Sequence, residues 1–157
     1  MKKDDNGMKI GIISDTHNLL REEVIHNLES CNLIMHAGDI CNKDILERLN
    51  NIATTVAVKG NNDKGELEAI LKEDEIIEIE GKRIYIVHER NNIGINLEEV
   101  DIVIYGHSHK YNLEIENNII YVNPGSCGKR RFSLPLTMAI MNIENGKIDI
   151  KKININS

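Results

Sequence analysis

Five apolar runs in this chain, at residues 8–14, 33–36, 54–58, 83–87 and 101–105, are each followed within four residues by one or two side chains that can ligate a metal. Those side chains are Asp15, His17, Asp39, Asn61, His88, His107 and His109. The runs are rich in Ile and Val and lack the strict alternation of a half-exposed strand, so they read as strands buried on both faces. Stretches of helical pattern separate the first four, at residues 21–30, 42–50 and 64–71, the second led by Asn42 as a plausible N-cap. Repeated strand, helix, strand implies a parallel sheet with right-handed crossovers. The binding crevice of such a sheet lies beyond the carboxyl ends of its strands, where all seven side chains fall.

The pattern changes after Tyr111. Shorter runs at residues 112–116, 119–123, 137–143 and 147–153 are joined in pairs by the turn signals Glu116-Asn117-Asn118 and Glu144-Asn145-Gly146, as antiparallel hairpins require. The carboxyl-terminal part is therefore expected to build a second sheet that packs on the first. The fold class is α/β, a two-sheet sandwich flanked by helices. With 157 residues and no internal linker the expected organisation is one domain over residues 1–157, residues 1–7 forming a loose polar head with no signal-peptide character. No stretch approaches membrane-spanning length, and the expected setting is soluble and cytoplasmic.

A net charge of -6, with Lys and Arg scattered except at Lys129, Arg130 and Arg131, argues against tight binding along a nucleic-acid backbone. A small phosphate ester remains compatible with it. One Phe, four Tyr and no Trp remove the stacking platform of a single-strand reader. Cys31, Cys41 and Cys127 form no C-x-x-C pair and fit free thiols in a reducing compartment.

Taken singly, most of the motifs have ordinary explanations. Asp15-Thr16-His17 and Gly38-Asp39 read as loop or turn residues, and Gly60-Asn61-Asn62-Asp63 as a turn with a helix cap. A lone His88 reads as a core or edge histidine. Gly106-His107-Ser108-His109 is different, because no capping or packing role explains two alternate histidines after a strand. Five motifs at five strand ends then favour ligation. Mixed Asp, Asn and His donors suit Mn, Fe, Zn, Co or Ni; thiolates are missing, and there is too much nitrogen for Ca or Mg. Seven donors exceed what one catalytic ion can use. Two ions sharing a carboxylate, for which Asp39 is suited, fit better, and such pairs generate a nucleophilic hydroxide and clamp the oxygens of a displacement at phosphorus.

The motif set D-x-H, G-D, G-N-x-D, H and G-H-x-H resembles the calcineurin-like metallophosphoesterase superfamily, and the length resembles its small YfcE-type phosphodiesterase branch. Asn123-Pro124-Gly125-Ser126 extends the match. The resemblance implies an α/β/β/α fold and two divalent ions, with Mn the leading candidate. One ion would take Asp15, His17 and His109, the other Asn61, His88 and His107, with Asp39 bridging. It further implies a hydrolase in which metal-bound hydroxide attacks phosphorus, acting on small phosphodiesters. His36 looks like a residue supporting the ligands or a plain structural histidine.

Two departures stand out. Asn62 occupies the place of a histidine that protonates the leaving group in many members, which leaves Asn61 and Asp63 as the catalytic candidates of that loop. His88-Glu89-Arg90 replaces the H-G-H of the branch. Arg130 is a candidate for binding substrate phosphate through its guanidinium fork, with a solvated surface role as the alternative. Two other readings of the fold are a binding or scaffold module like the retromer subunit, and a nuclease; short length and acidic charge weigh against the latter. Oligomeric state is not specified by any of these runs.

Overall fold

In a computed structural model, which describes residues 7–131 and 133–156, two five-stranded sheets stack face to face. Strand β1 (Met8–Ile13), helix α1 (Glu22–Leu28), β2 (Leu33–His36), α2 (Lys43–Ile52), β3 (Thr54–Ala57) and α3 (Glu66–Ile70) alternate as the sequence implies. The chain continues through β4 (Asp74–Ile79), β5 (Lys82–Val87), a 3₁₀ turn (Arg90–Asn92), β6 (Ile102–Ile104), β7 (Asn112–Glu116), β8 (Ile119–Asn123), β9 (Leu136–Glu144) and β10 (Lys147–Ile155). Of the expected loose head, residues 1–6 lie outside the described residues, whereas Gly7 is buried.

The sheets run β10-β9-β1-β2-β3 and β4-β5-β6-β8-β7. This corrects the expected division of the chain: β9 and β10 join the first sheet, and the runs around β5 and β6 belong to the second. Two physical reasons account for it. Ahead of β5 stands β4, overlooked in the sequence, and the tight Glu80-Gly81 turn, with φ of 51° and 78°, makes the two an antiparallel pair. No helical crossover therefore returns β5 to the first sheet. At the other end of the chain, β9 is buried along nearly its whole length, with Ala139, Met141 and Ile143 facing the second sheet and Met138 and Ile140 facing the helices. A strand apolar on both faces belongs inside a sheet, and it pairs with β1.

Three apolar layers result. Ile10, Ile12, Met35, Ile84, Ile86, Ile104 and Met141 lie between the sheets. Val24, Leu28, Ile45, Leu49 and Leu67 press the three helices on the outer face of the first sheet. Over the outer face of the second, Ile93, Ile95 and Leu97 of an irregular segment cover Tyr85, Val103 and Tyr121. The N-cap of α2 is Asn42, which accepts from Asp44 N at 2.8 Å, a bond that stabilises a helix start by about 1 kcal/mol. Among the described residues no helix is long and apolar enough to cross a membrane.

Parallel pairing fixes where the strands end. Ile13 lies beside His36 and His36 beside Ala57 in one sheet, and Ile86 beside Ile104 and Ile104 beside Val122 in the other. Six carboxyl ends from two sheets thus meet at one edge of the sandwich.

Candidate metal centre

Asp15 leaves β1 fully buried, and it is the centre of the cluster. Its Oδ2 accepts from Ser14 Oγ at 2.7 Å and from His107 N at 3.1 Å. Its Oδ1 has no hydrogen-bond partner, yet faces the Nε2 atoms of His109 at 3.4 Å and of His17 and His88 at 3.9 Å. Asp39 Oδ2 lies 3.3 Å from His88 Nε2 and 3.9 Å from His17 Nε2, so its carboxylate reaches both flanks of the group. Donor atoms of Asp15, His17 and His109, and of Asp15, Asp39 and His88, converge closely enough to hold a cation.

The other two expected ligands sit at the rim. Asn61 is exposed, its Oδ1 3.1 Å from His88 Nε2. His107 has a side chain 46% exposed, with its ring 5.2 Å from that of His88 and its Nδ1 3.6 Å from Glu89 Oε1. It lies beside the two gathered groups and belongs to neither.

The backbone is bent to make this arrangement. Asp15, His17, Asp39, His107 and His109 all have positive φ, between 53° and 72°. Outside the site and its neighbour Cys41, the other non-glycine residues of this kind among those described lie in hairpin turns: Glu80, Asn117, Asn118 and Asn145. Left-handed backbone is unfavourable for a residue with a Cβ, and its concentration at the strand ends marks a site held in place by its surroundings. Gly38, with φ of 107°, lets that segment pass so close to His88 that an added Cβ would stand 2.6 Å from Nδ1.

Electrostatics follow from burial and company. His88 Nδ1 donates to Ala37 O at 2.7 Å, which turns Nε2 toward the carboxylates. Burial pushes this imidazole down, but Asp39 and Asp15 more than offset it and raise it to about 8. Asp39 lies well below the usual carboxylate range, since its contacts with His88 and Asn62 outweigh burial, and Asp15 is lowered by His109 and His88 in the same way. In His36, fully buried, burial dominates and pushes the imidazole down to about 3. Its Nδ1 accepts from Gly38 N at 3.0 Å, so Nε2 carries the proton and donates to Thr16 Oγ1 at 3.0 Å. His36 thereby ties the Asp15 loop to the Asp39 loop.

Asp63, a candidate proton donor on sequence, does a different job. It is 1% exposed; Oδ2 accepts from Asp39 N and Gly60 N, both at 2.9 Å, and Oδ1 from Cys41 N at 2.7 Å. Three amide donors fill a carboxylate that points into the loops, so it braces them and does not reach a leaving group. Asn62 proves more important than its place as a departure suggested: its N and Nδ2 donate to Asp39 at 2.8 and 3.1 Å. Arg130 is exposed on the loop after Gly128, outside the gathered groups.

The Asn123-Pro124-Gly125-Ser126 segment contributes supports and no ligand. Asn123 Nδ2 donates to Gly106 O at 3.1 Å and Ser108 Oγ at 3.0 Å, while Ser126 Oγ donates to Asp15 O at 3.1 Å. Cys41, expected as a free thiol, lies beside the cluster with Sγ 3.4 Å from His17 Nδ1. Burial first, then Asp63, Asp39 and Asp15, push its thiol up to about 12, where it stays protonated.

A buried carboxylate oxygen with no hydrogen bond, three imidazole nitrogens around it and an unpartnered His109 Nδ1 form a donor set that fits a divalent cation. The class so defined is an α/β sandwich with a candidate metal site at its strand ends. Residues 8–146 match the calcineurin-like phosphoesterase superfamily domain, and the chain belongs to that superfamily. It is 34% identical to a probable metallophosphoesterase of Methanocaldococcus jannaschii, over 94% of this chain and 82% of that protein. A phosphodiesterase of the same organism is 31% identical, over 87% of this chain and 94% of the relative. The fold is shared with the phosphoesterase YfcE of E. coli (TM-score 0.70, 23% identity, 95% and 100% covered). Vps29 of Entamoeba histolytica also shares it (TM-score 0.74, 21% identity, 95% and 100% covered).

Proposed function

We propose that this protein is a phosphodiesterase that works with two divalent cations, manganese the leading candidate, and hydrolyses small phosphodiesters. The observation that carries the reading is the buried, unpaired Asp15 Oδ1 with His17, His88 and His109 around it and Asp39 alongside. Asp15, His17 and His109 would hold one cation, and Asn61, His88 and His107 the other, with Asp39 reaching both. Bound there, the cations would supply Lewis-acid activation of water and neutralise the phosphoryl charge.

The chain's own groups set what that chemistry can do. Ser14, Asn62 and the His107 amide hold the two carboxylates in fixed orientation, so no reorganisation is needed as charge develops. His36 stays neutral and braces the loops without exchanging protons with substrate. With Asn62 bonded to Asp39 and Asp63 to three amides, neither is free to protonate a departing alkoxide, which favours esters of acidic alcohols. The relative with phosphodiesterase activity supports diester hydrolysis here, and three free cysteines suit a cytoplasmic setting. A binding module on the same fold is the second reading, and since Vps29 of Entamoeba histolytica is also known complexed with zinc, turnover and not metal binding separates the two.

The test is to strip the protein of metal, restore Mn, Zn, Ni, Co and Mg separately, and assay bis(p-nitrophenyl) phosphate beside p-nitrophenyl phosphate. Metal-restored diester turnover that Asp39→Ala abolishes is the expected result. Stoichiometric metal with no turnover of either ester under any ion would move the scaffold reading forward.

A further inference from the structure

Glu89 follows His88 directly, with a side chain 30% exposed and Oε1 3.6 Å from His107 Nδ1. It stands between two cavities. One, of about 190 Å³, is lined by Lys59, Asn61, Glu73, His88 and Asn92. The other, of about 160 Å³, is lined by Arg90, Tyr105, His107 and Ser108. Glu89 is the residue common to both, and each cavity opens on an expected ligand, Asn61 and His88 on one side and His107 on the other.

Their linings say what each can take. In the first, Lys59 Nζ lies 3.5 Å from Glu73 Oε1, which matches its charge, and the Glu89 carboxylate, 3.6 Å from His107 Nδ1, adds a negative charge that opposes a second anion. In the second, Arg90 is committed elsewhere: its guanidinium lies 4.0 Å over the Tyr121 ring and pairs with Glu114 and with Glu116, the latter at 2.8 Å. That anchoring holds the 88–92 turn in place, and Glu89 with it.

We propose that Glu89 is a specificity-determining residue whose carboxylate, shared by both cavities beside the expected ligands, rejects a substrate arm that carries a second negative charge and admits an uncharged one. The proposal rests on the phosphodiesterase reading and names the substrate class for it: diesters of uncharged alcohols. Glu89 touches the alcohol, while the reacting phosphorus is handled by the ligand cluster.

The experiment uses metal-restored protein and two p-nitrophenyl phosphodiesters that differ in the second alcohol, glycerol or the anionic glycerate. In the wild type kcat/KM favours the glycerol ester by about tenfold or more, mostly through KM, the scale on which binding contacts discriminate. Glu89→Gln removes the charge, keeps the shape and brings the two esters within about threefold. Equal use of both esters by the wild type, or selectivity that survives Glu89→Gln, overturns the proposal. Calorimetric binding of the glycerol and glycerate methylphosphonate monoesters reads the same selection without turnover: binding with the expected preference and no hydrolysis sinks the phosphodiesterase reading and keeps the role of Glu89, and loss of both binding and turnover sinks both.

Discussion

The two sides of the candidate metal centre are built differently. Asp15, Asp39, His88 and His109 are buried, and their backbone or side-chain atoms are bound into neighbouring loops, whereas Asn61 and His107 stand at the rim in contact with solvent. The buried side is fixed by folding: Asp15 N donates to Gly38 O at 3.0 Å and His17 N to Asp39 O at 2.8 Å, so the first two strand ends are one structure. At the rim, His107 is secured through its backbone amide while its imidazole leans toward Glu89. Burial preorganises one flank, and exposure leaves the other open to substrate and to variation in specificity.

The sharpest way to break this contrast is Asp39→Ala. It removes the carboxylate that reaches both flanks, and kcat/KM should fall by about 10³-fold or more, with loss of metal measured by elemental analysis. Retention of both metal and turnover would falsify the assignment. His107→Ala attacks the rim alone. Activity should drop about 10²-fold, while the metal-free protein keeps its stability within about 0.5 kcal/mol, as expected of an exposed side chain. In His88→Ala the metal-free protein itself should lose about 1–3 kcal/mol, because Ala37 O is left buried without its donor. Equal stability losses at positions 88 and 107, read by denaturant melts, would erase the distinction.

Asn123→Ala tests whether the buried side depends on its supports. It removes the donor to Gly106 O and Ser108 Oγ beneath the two histidines, and metal affinity should weaken by about 10–100-fold. Calorimetric titration with Mn would show it, and an unchanged affinity would confine Asn123 to turn geometry. This residue also shows where sequence reading stops. The candidate ligands were legible because each follows a buried strand, and strand ends converge in any sheet of this class. Of the supports only His36 was offered as one, because Ser126, Asn123 and Asp63 act through hydrogen bonds to loops up to 111 positions away, and nothing in their local pattern separates such a role from an ordinary turn. The same limit explains the sheets. Ile and Glu in β4 read as a polar connection until its pairing with β5 is seen, and without β4 the fifth strand falls into the wrong sheet.

The smallest expected effect concerns pH, and it separates two buried histidines that a metal would affect differently. His88 is raised to about 8 in the folded, metal-free protein against an ordinary value of 6.5, so its protonated form stabilises the fold. That contribution is complete below about 6.5 and is lost as pH rises through about 8, a change of at most about 2 kcal/mol. His36 has the opposite sign. Lowered to about 3, it stays neutral when folded while the unfolded chain takes up a proton, so stability falls by up to about 1.4 kcal/mol per pH unit below about 6.5. Metal-free protein should therefore be most stable near pH 6.5, in denaturant melts taken across pH 5 to 9. Saturating Mn replaces the His88 proton, so the decline between 6.5 and 8 should vanish and metal affinity should rise over the same interval. The acid-side decline should persist with metal at pH values where Mn stays bound, because His36 is tied to Thr16 and Gly38 and not to the ion. An alkaline decline that metal does not remove would place the titrating group elsewhere than at His88.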